Sequence, residues 1–88
     1  MINPVRRKQV RRTLLETLKM AGNYALEEST MWGYVNDLIK PPVNFGERGV
    51  TLKELRDGGF IREAQDTLDP DMKQWLITEL GKNLLTSL

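Results

Sequence analysis

The groups available for chemistry in these 88 residues are carboxylates, amines, guanidinia, hydroxyls and phenols, because the chain has no Cys and no His. That composition excludes a thiolate nucleophile, a Ser–His dyad, a disulfide and a zinc site built from Cys or His. Glu27 and Glu28 beside Asp37 suggest a carboxylate pair, but no nucleophile, metal ligand or phosphate-binding loop accompanies them. The run from Asp66 through Asp69 to Asp71 has oxygen ligands without the Gly and distal Glu of a calcium loop. A turn stabilised by Asp and Pro is the better reading. The chain is therefore expected not to be an enzyme, with no catalytic residue, cofactor or metal site. Trp32, Tyr34 and Trp75 have the faces to stack on bases, although at helix and strand spacing they read first as core or interface. The strongest signal is cationic. Arg6, Arg7, Lys8, Arg11 and Arg12 crowd one end, so that residues 1–20 carry a balance of +5 and residues 21–88 one of −4. A polyanion would meet that end first. Three readings of the cluster stay open: contact with DNA or RNA, an arm that pairs with acids of a second protomer, or a solvated helix start.

Positioning these groups falls to one small domain spanning 1–88. Its 13 leucines and 40% hydrophobic content suffice for a core and argue against disorder. No apolar run approaches the ~20 residues of a membrane span, and no signal peptide is seen. A soluble, cytoplasmic protein is expected. Asn3, Pro4 and Gly22 bracket a first helix over 4–21, with Val10, Leu14, Leu18 and Ala21 in one apolar stripe. Arg7 and Arg11 extend that stripe, and the first turns are expected to project beyond the core. A second helix is expected from about Ser29 to Lys40, capped by Ser29 or Thr30 and ended by Pro41-Pro42. Its buried face would be Met31, Val35, Leu38 and Ile39, with Trp32 and Tyr34 partly off it. Asn44 with Glu47, and Thr51 with Glu54, are two candidate capping boxes for a third helix that stops at Gly58-Gly59. Residues 60–65 and 73–78 alternate as the strands of a hairpin, and Thr78 caps a last helix from Glu79 to about Leu85. The expected core is Leu14, Leu18, Leu26, Met31, Val35, Leu38, Leu52, Leu55, Ile61, Trp75, Ile77 and Leu84.

The segment Leu52-x-x-Leu55-Arg-Asp-Gly58-Gly59-Phe60-Ile61 resembles the end of a recognition helix passing into a wing. Trp75-Leu-Ile77-Thr78-Glu-Leu-Gly81, continuing to Leu84 and Leu85, is similar to the closing strand and helix of the same domains. Over about residues 10–85 the chain resembles the winged helix-turn-helix regulators of the MarR, ArsR and PadR kind. Small prophage or plasmid-borne proteins offer a further likeness. The resemblance implies a mainly α fold with a small β-hairpin (α+β): a three-helix core, a two-stranded wing at about 60–78 and a short C-terminal helix.

It implies also that the third helix enters a major groove and that the wing touches flanking backbone or minor groove. On this sequence the groove contacts would be Arg48, Thr51, Lys53 and Arg56, and the wing contacts Arg62 and Lys73. Arg6, Arg7, Lys8, Arg11 and Arg12 would add backbone contacts. Against this stand Glu47, Glu54 and Asp57 near the third-helix face and Asp66, Asp69 and Asp71 at the wing tip, which would repel phosphates. The expected function is a DNA-binding transcriptional regulator with double-stranded DNA as partner. The alternative is a winged-helix module that docks a protein and has little DNA affinity. Leu80, Leu84, Leu85 and Leu88 form a C-terminal stripe that either covers the core or, with Trp32 or Tyr34, makes a homodimer contact.

Overall fold

The computed structural model describes residues 3–65, 68, 69 and 71–87. Along them run α1 (Pro4–Ala21), β1 (Leu26–Glu27), α2 (Glu28–Leu38), α3 (Phe45–Asp57), β2 (Ile61–Gln65), β3 (Lys73–Ile77) and α4 (Glu79–Ser87). Asp66, expected in a turn with Thr67 and Pro70, and Leu88, expected in an apolar stripe, lie outside the described residues. Among the described residues no helix is long and apolar enough to cross a membrane.

Helix α1 begins where its cap dictates: the Asn3 side chain accepts from the Val5 amide at 2.8 Å, and Pro4 follows. Val10, Leu14, Leu15 and Leu18 are buried along it, so its apolar face is wider than the stripe of Val10, Leu14 and Leu18 alone. Thr13 and Thr17 are buried too, and the Thr17 hydroxyl is satisfied by donating to the Thr13 carbonyl at 2.8 Å. The first turns do not project. Arg6, Arg7 and Arg11 lie against α3, with their heads on its carboxylates. Apolar stems packed on a helix with paired heads lose less than a projecting, unsupported turn would.

Helix α2 departs from the sequence reading at both ends. It starts at Glu28, Glu27 caps it without a side-chain bond, and the Ser29 hydroxyl donates to Glu27 Oε1 at 2.6 Å. Residues 26 and 27 are claimed by a strand, which brings the helix start forward. Its buried arc holds Met31, Trp32 and Val35, and Leu38 is 67% exposed. At 100° per residue that arc is rotated toward Trp32 and away from Leu38. Burying an indole removes more apolar surface from water than burying a leucine, and Trp32 wins the inner position. Ile39, extended and past the helix end, turns inward with Val43.

Helix α3 begins at the first of its two capping boxes: Asn44 accepts from the Glu47 amide at 2.8 Å and Glu47 accepts from the Asn44 amide at 3.2 Å. Its end is a Schellman arrangement, with Gly59 at φ 78° and the Phe60 amide bonded to the Leu55 carbonyl at 2.9 Å. The chain then enters β2, paired antiparallel with β3 so that Ile61 faces Ile77 and Glu63 faces Trp75. A third strand completes the sheet. β1 pairs with β3 on the other side, Leu26 opposite Trp75, giving the order β1-β3-β2 where two strands were expected.

The core joins α1, α2, the start of α3's loop and the inner sheet face through residues that include Leu14, Leu18, Met31, Trp32, Val35, Leu55, Ile61 and Trp75. Leu26, Leu52, Phe60, Leu84 and Leu85 pack around it, half-buried. The buried Trp75 indole donates to Glu28 Oε1 at 2.9 Å, which fastens the hairpin to the first turn of α2. Thr78 caps α4, accepting from the Gly81 amide at 3.1 Å. Gly81 sits on the Phe60 carbonyl so closely that a Cβ there would collide with that oxygen and with Ile77. Gly81→Ala is therefore expected to cost about 2–4 kcal/mol. The exposed Gly49→Ala, where a Cβ meets open space, should gain about 0.5–1 kcal/mol. Thermal and urea unfolding of both variants measures the contrast.

Candidate nucleic-acid interface

Only some of the charged side chains singled out above are available to a polyanion. Arg6 is built into the fold: its Nε lies 3.1 Å from Glu47 Oε2, and Nη2 donates to the Pro41 carbonyl at 2.7 Å and the Pro42 carbonyl at 3.3 Å. Arg7 and Arg11 both reach Glu54, Arg11 at 3.4 Å. Arg12 pairs with Glu16 one turn along at 3.0 Å, an exposed contact that holds it weakly. Lys8 is exposed, with no ion pair among the described residues. The cluster that looked like a cationic knob is thus largely spent on α3, and its acids come from the same chain.

The same pairs change the outer face of α3. Its inner side buries Thr51 and Leu55, with Thr51 Oγ1 donating to the Glu47 carbonyl at 2.7 Å, so Thr51 is turned away from any docking partner. Glu47 and Glu54, counted above near the docking surface, face α1 instead. Arg48 is held back as well: Nε donates to the Val43 carbonyl at 3.2 Å, and the guanidinium lies 4.7 Å from the Phe45 ring centre and 5.7 Å from that of Trp32. Trp32 is buried beneath it, so it stacks on Arg48 and not on a base. What remains outward on α3 is Phe45, Gly46, Gly49, Val50, Lys53, Arg56 and Asp57. Arg56 lies 3.6 Å from Asp57, both half-exposed. On the hairpin Arg62 and Lys73 are exposed, and so are Asp69 and Asp71.

The structure therefore brings Lys53 and Arg56 together on one helix face and puts Arg62 and Lys73 on the hairpin. It separates them from Arg6, Arg7, Arg11, Arg48 and Thr51, which act within the fold. Sequence reasoning passed over Phe45 and Val50, which are 82% and 43% exposed on α3. Only the helix phase fixed by Asn44 could have pointed to them. The carboxylates elsewhere also have structural partners: Glu28 holds Trp75 and Glu27 holds Ser29. Among the described residues no group of acids is arranged to hold a metal ion.

Three helices, a Gly-Gly turn into an antiparallel hairpin, a short strand closing the sheet and a last helix form an order shared with solved structures. A winged-helix DNA-binding protein from STIV matches with a TM-score of 0.70 at 21% identity, over 86% of this chain and 78% of that one. A protein from Thermoplasma acidophilum assigned as a transcriptional regulator matches at 0.77 and 13%, over 99% and 81%. A PadR-like transcription factor from Bacteroides fragilis matches at 0.71 and 15%, over 94% and 79%. The fold is a winged helix-turn-helix. In that fold α3 is the third helix and β2–β3 are the hairpin called the wing. The PadR-like neighbour agrees with the likeness carried by residues 52–61 and 75–85. No protein-family model and no curated sequence matches the chain.

Glu47 reports on how the winged helix is held. The hydrogen bond from Arg6 keeps its carboxyl below the ordinary value, helped by the Asn44 amide and opposed by burial. A lowered carboxyl stabilises the fold above its unfolded value, and that contribution disappears as pH falls through the folded value. Glu47→Gln keeps one oxygen able to complete the capping box, and it removes the charge together with the second oxygen that accepts from Arg6. It should cost roughly 1 kcal/mol at pH 7, and the gap to the parent should close on acidification. Urea titrations at several pH values between 7 and 3 check this; a gap independent of pH would exclude the charge as its origin.

Proposed function

We propose that the chain is a DNA-binding regulator that lays α3 in a major groove and rests the β2–β3 wing on flanking backbone, acting on duplex DNA as a symmetric dimer. The observation that carries this reading is the outward face of α3. Withdrawal of Glu47 and Glu54 to α1 leaves Lys53 and Arg56 there against Asp57 alone, beside exposed Phe45 and Val50. Lys53 and Arg56 are placed for phosphates or base edges, and Val50 and Phe45 for the apolar methyl of thymine. Gly46 and Gly49 leave the helix backbone bare between them. Arg62 and Lys73 supply phosphate contacts from the wing, and Lys8 and Arg12 a peripheral one from α1. Arg6, Arg7 and Arg11 orient α3 and do not touch nucleic acid. A cytoplasmic location accords with such a role.

A second reading, a winged helix that docks a basic protein, has one observation in its favour. Glu27, Glu28, Asp69 and Asp71, with Lys73 as the one cation in the lining, form a hollow between the start of α2 and the wing. A surface with that charge suits lysine and arginine on a partner better than phosphate.

Fluorescence anisotropy of a labelled mixed-sequence duplex separates the two. Four exposed cations, Lys53, Arg56, Arg62 and Lys73, predict a slope of log K against log salt of about −3 to −4 per protomer. Lys53→Ala with Arg62→Ala should weaken binding at least tenfold and flatten the slope by about 2. Arg7→Ala with Arg11→Ala should lower stability and leave the slope nearly unchanged. Absence of binding even at low salt would reject the DNA reading and leave the acidic hollow as the functional surface.

A further inference from the structure

The face of the protein formed by the end of α1 and the end of α2 carries an apolar groove that the interface described above does not use. It encloses about 560 Å³ and is lined by Thr17, Met20 and Ala21 of α1, Leu26 of β1, and Tyr34, Asp37 and Leu38 of α2. Met20, Tyr34 and Leu38 are 87%, 56% and 67% exposed. Three large apolar side chains rimming one hollow make a patch of the kind that marks an interaction site, whereas scattered exposed leucines do not.

We infer that this groove is the surface through which two copies of the chain associate. Charge argues for a second copy over other occupants. Lys19 stands beside Met20 on α1, Asp37 lies across the groove on α2, and neither has an ion-pair partner among the described residues. Most other cations of α1 are paired within the chain. A two-fold arrangement in which Lys19 of each copy meets Asp37 of the other and Met20 meets Leu38 would have the self-complementarity that a symmetric interface requires.

The placement suits the proposed function. No residue of α3, β2 or β3 lines the groove, so a dimer formed through it leaves both recognition helices and both wings uncovered. A typical interface takes about 800 Å² from each partner, a modest share of the 5753 Å² of accessible surface here. The α4 leucines are less suited. Leu84 and Leu85 are half-buried against the core, Trp32 is buried, and of the stripe's described leucines only Leu80 remains open.

The inference deepens the dimeric part of the proposed function, but its test uses protein alone. Sedimentation equilibrium of the full chain should give about twice the monomer mass of 10.1 kDa, and Leu38→Glu, at an exposed position, should weaken association at least tenfold with unchanged circular dichroism. Asp37→Lys and Lys19→Glu should each be largely monomeric alone, since like charges then face each other across the axis. Mixed in equal amounts the two variants should dimerise, because both contacts in the mixed pair become attractive. A role internal to one chain gives no such rescue. A monomeric parent at several hundred micromolar, an unimproved mixture, or a dimer broken by Leu80→Glu and not by Leu38→Glu would each overturn the inference. Duplex binding by a monomer would do so while sparing the assignment of α3 and the wing to DNA, and a groove-dependent dimer without duplex affinity would do the reverse.

Discussion

The contact on which the rest of the molecule depends is the set of ion pairs between the first turns of α1 and one side of α3. Arg6 on Glu47, and Arg7 with Arg11 on Glu54, join helices whose partners lie more than 40 residues apart in sequence. Each pair acts on two surfaces. It removes a cation from the N-terminal end, and it removes an anion from the outward side of α3. With a net charge of only +1, the chain has little excess positive charge. Turning the acids of α3 inward, toward its own arginines, makes the small excess count where the helix faces out. Both Arg6 and Glu47 are largely shielded from solvent, so the pair resists salt more than exposed Arg12 and Glu16 can.

From that junction order spreads along the chain. The Arg6 guanidinium also grips the carbonyls of Pro41 and Pro42, and Asn36 accepts from the Val43 amide at 2.8 Å, so the turn between α2 and α3 is held from both sides. Glu47 serves the cap of α3 and the pair with Arg6 together, which ties the start of the helix to its lateral position. At the other end the Schellman turn hands the chain to β2. The Phe60 carbonyl there accepts from the Thr78 amide at 3.1 Å while Gly81 rests on it. Helix α3, the hairpin and the last helix thus meet at one peptide group.

Much of this was legible in the residue pattern. Caps and stops that depend on local chemistry, Asn3, Asn44, Gly59 and Thr78, act where their side chains or backbone freedom demand, and the Leu52 to Ile61 segment identified the passage from helix to wing. Readings that depend on which neighbour arrives across space were less secure. Leu38 and Ile39 were both expected inside, and only Ile39 is buried, because Trp32 rotated the buried arc of α2 away from Leu38. β1 contributes two residues and becomes a strand only because β3 offers it an edge. The α1 arginines sit at helical spacing that suits either solvent or a neighbouring helix, and sequence alone does not say that Glu47 and Glu54 will be opposite. The withheld carboxylates, and with them the character of the α3 face, follow from that tertiary fact.

The strand order leaves β3 in the middle and one side of β2 without a neighbour. A bare strand margin carries unpaired amides and carbonyls and is an invitation to add further strands, one copy after another. Here that margin bears Arg62 and Glu63, both exposed. Desolvating two opposite charges beside every added strand discourages open-ended stacking. Arg62 would then guard against fibrous assembly, and that duty would constrain its replacement whether or not nucleic acid is present.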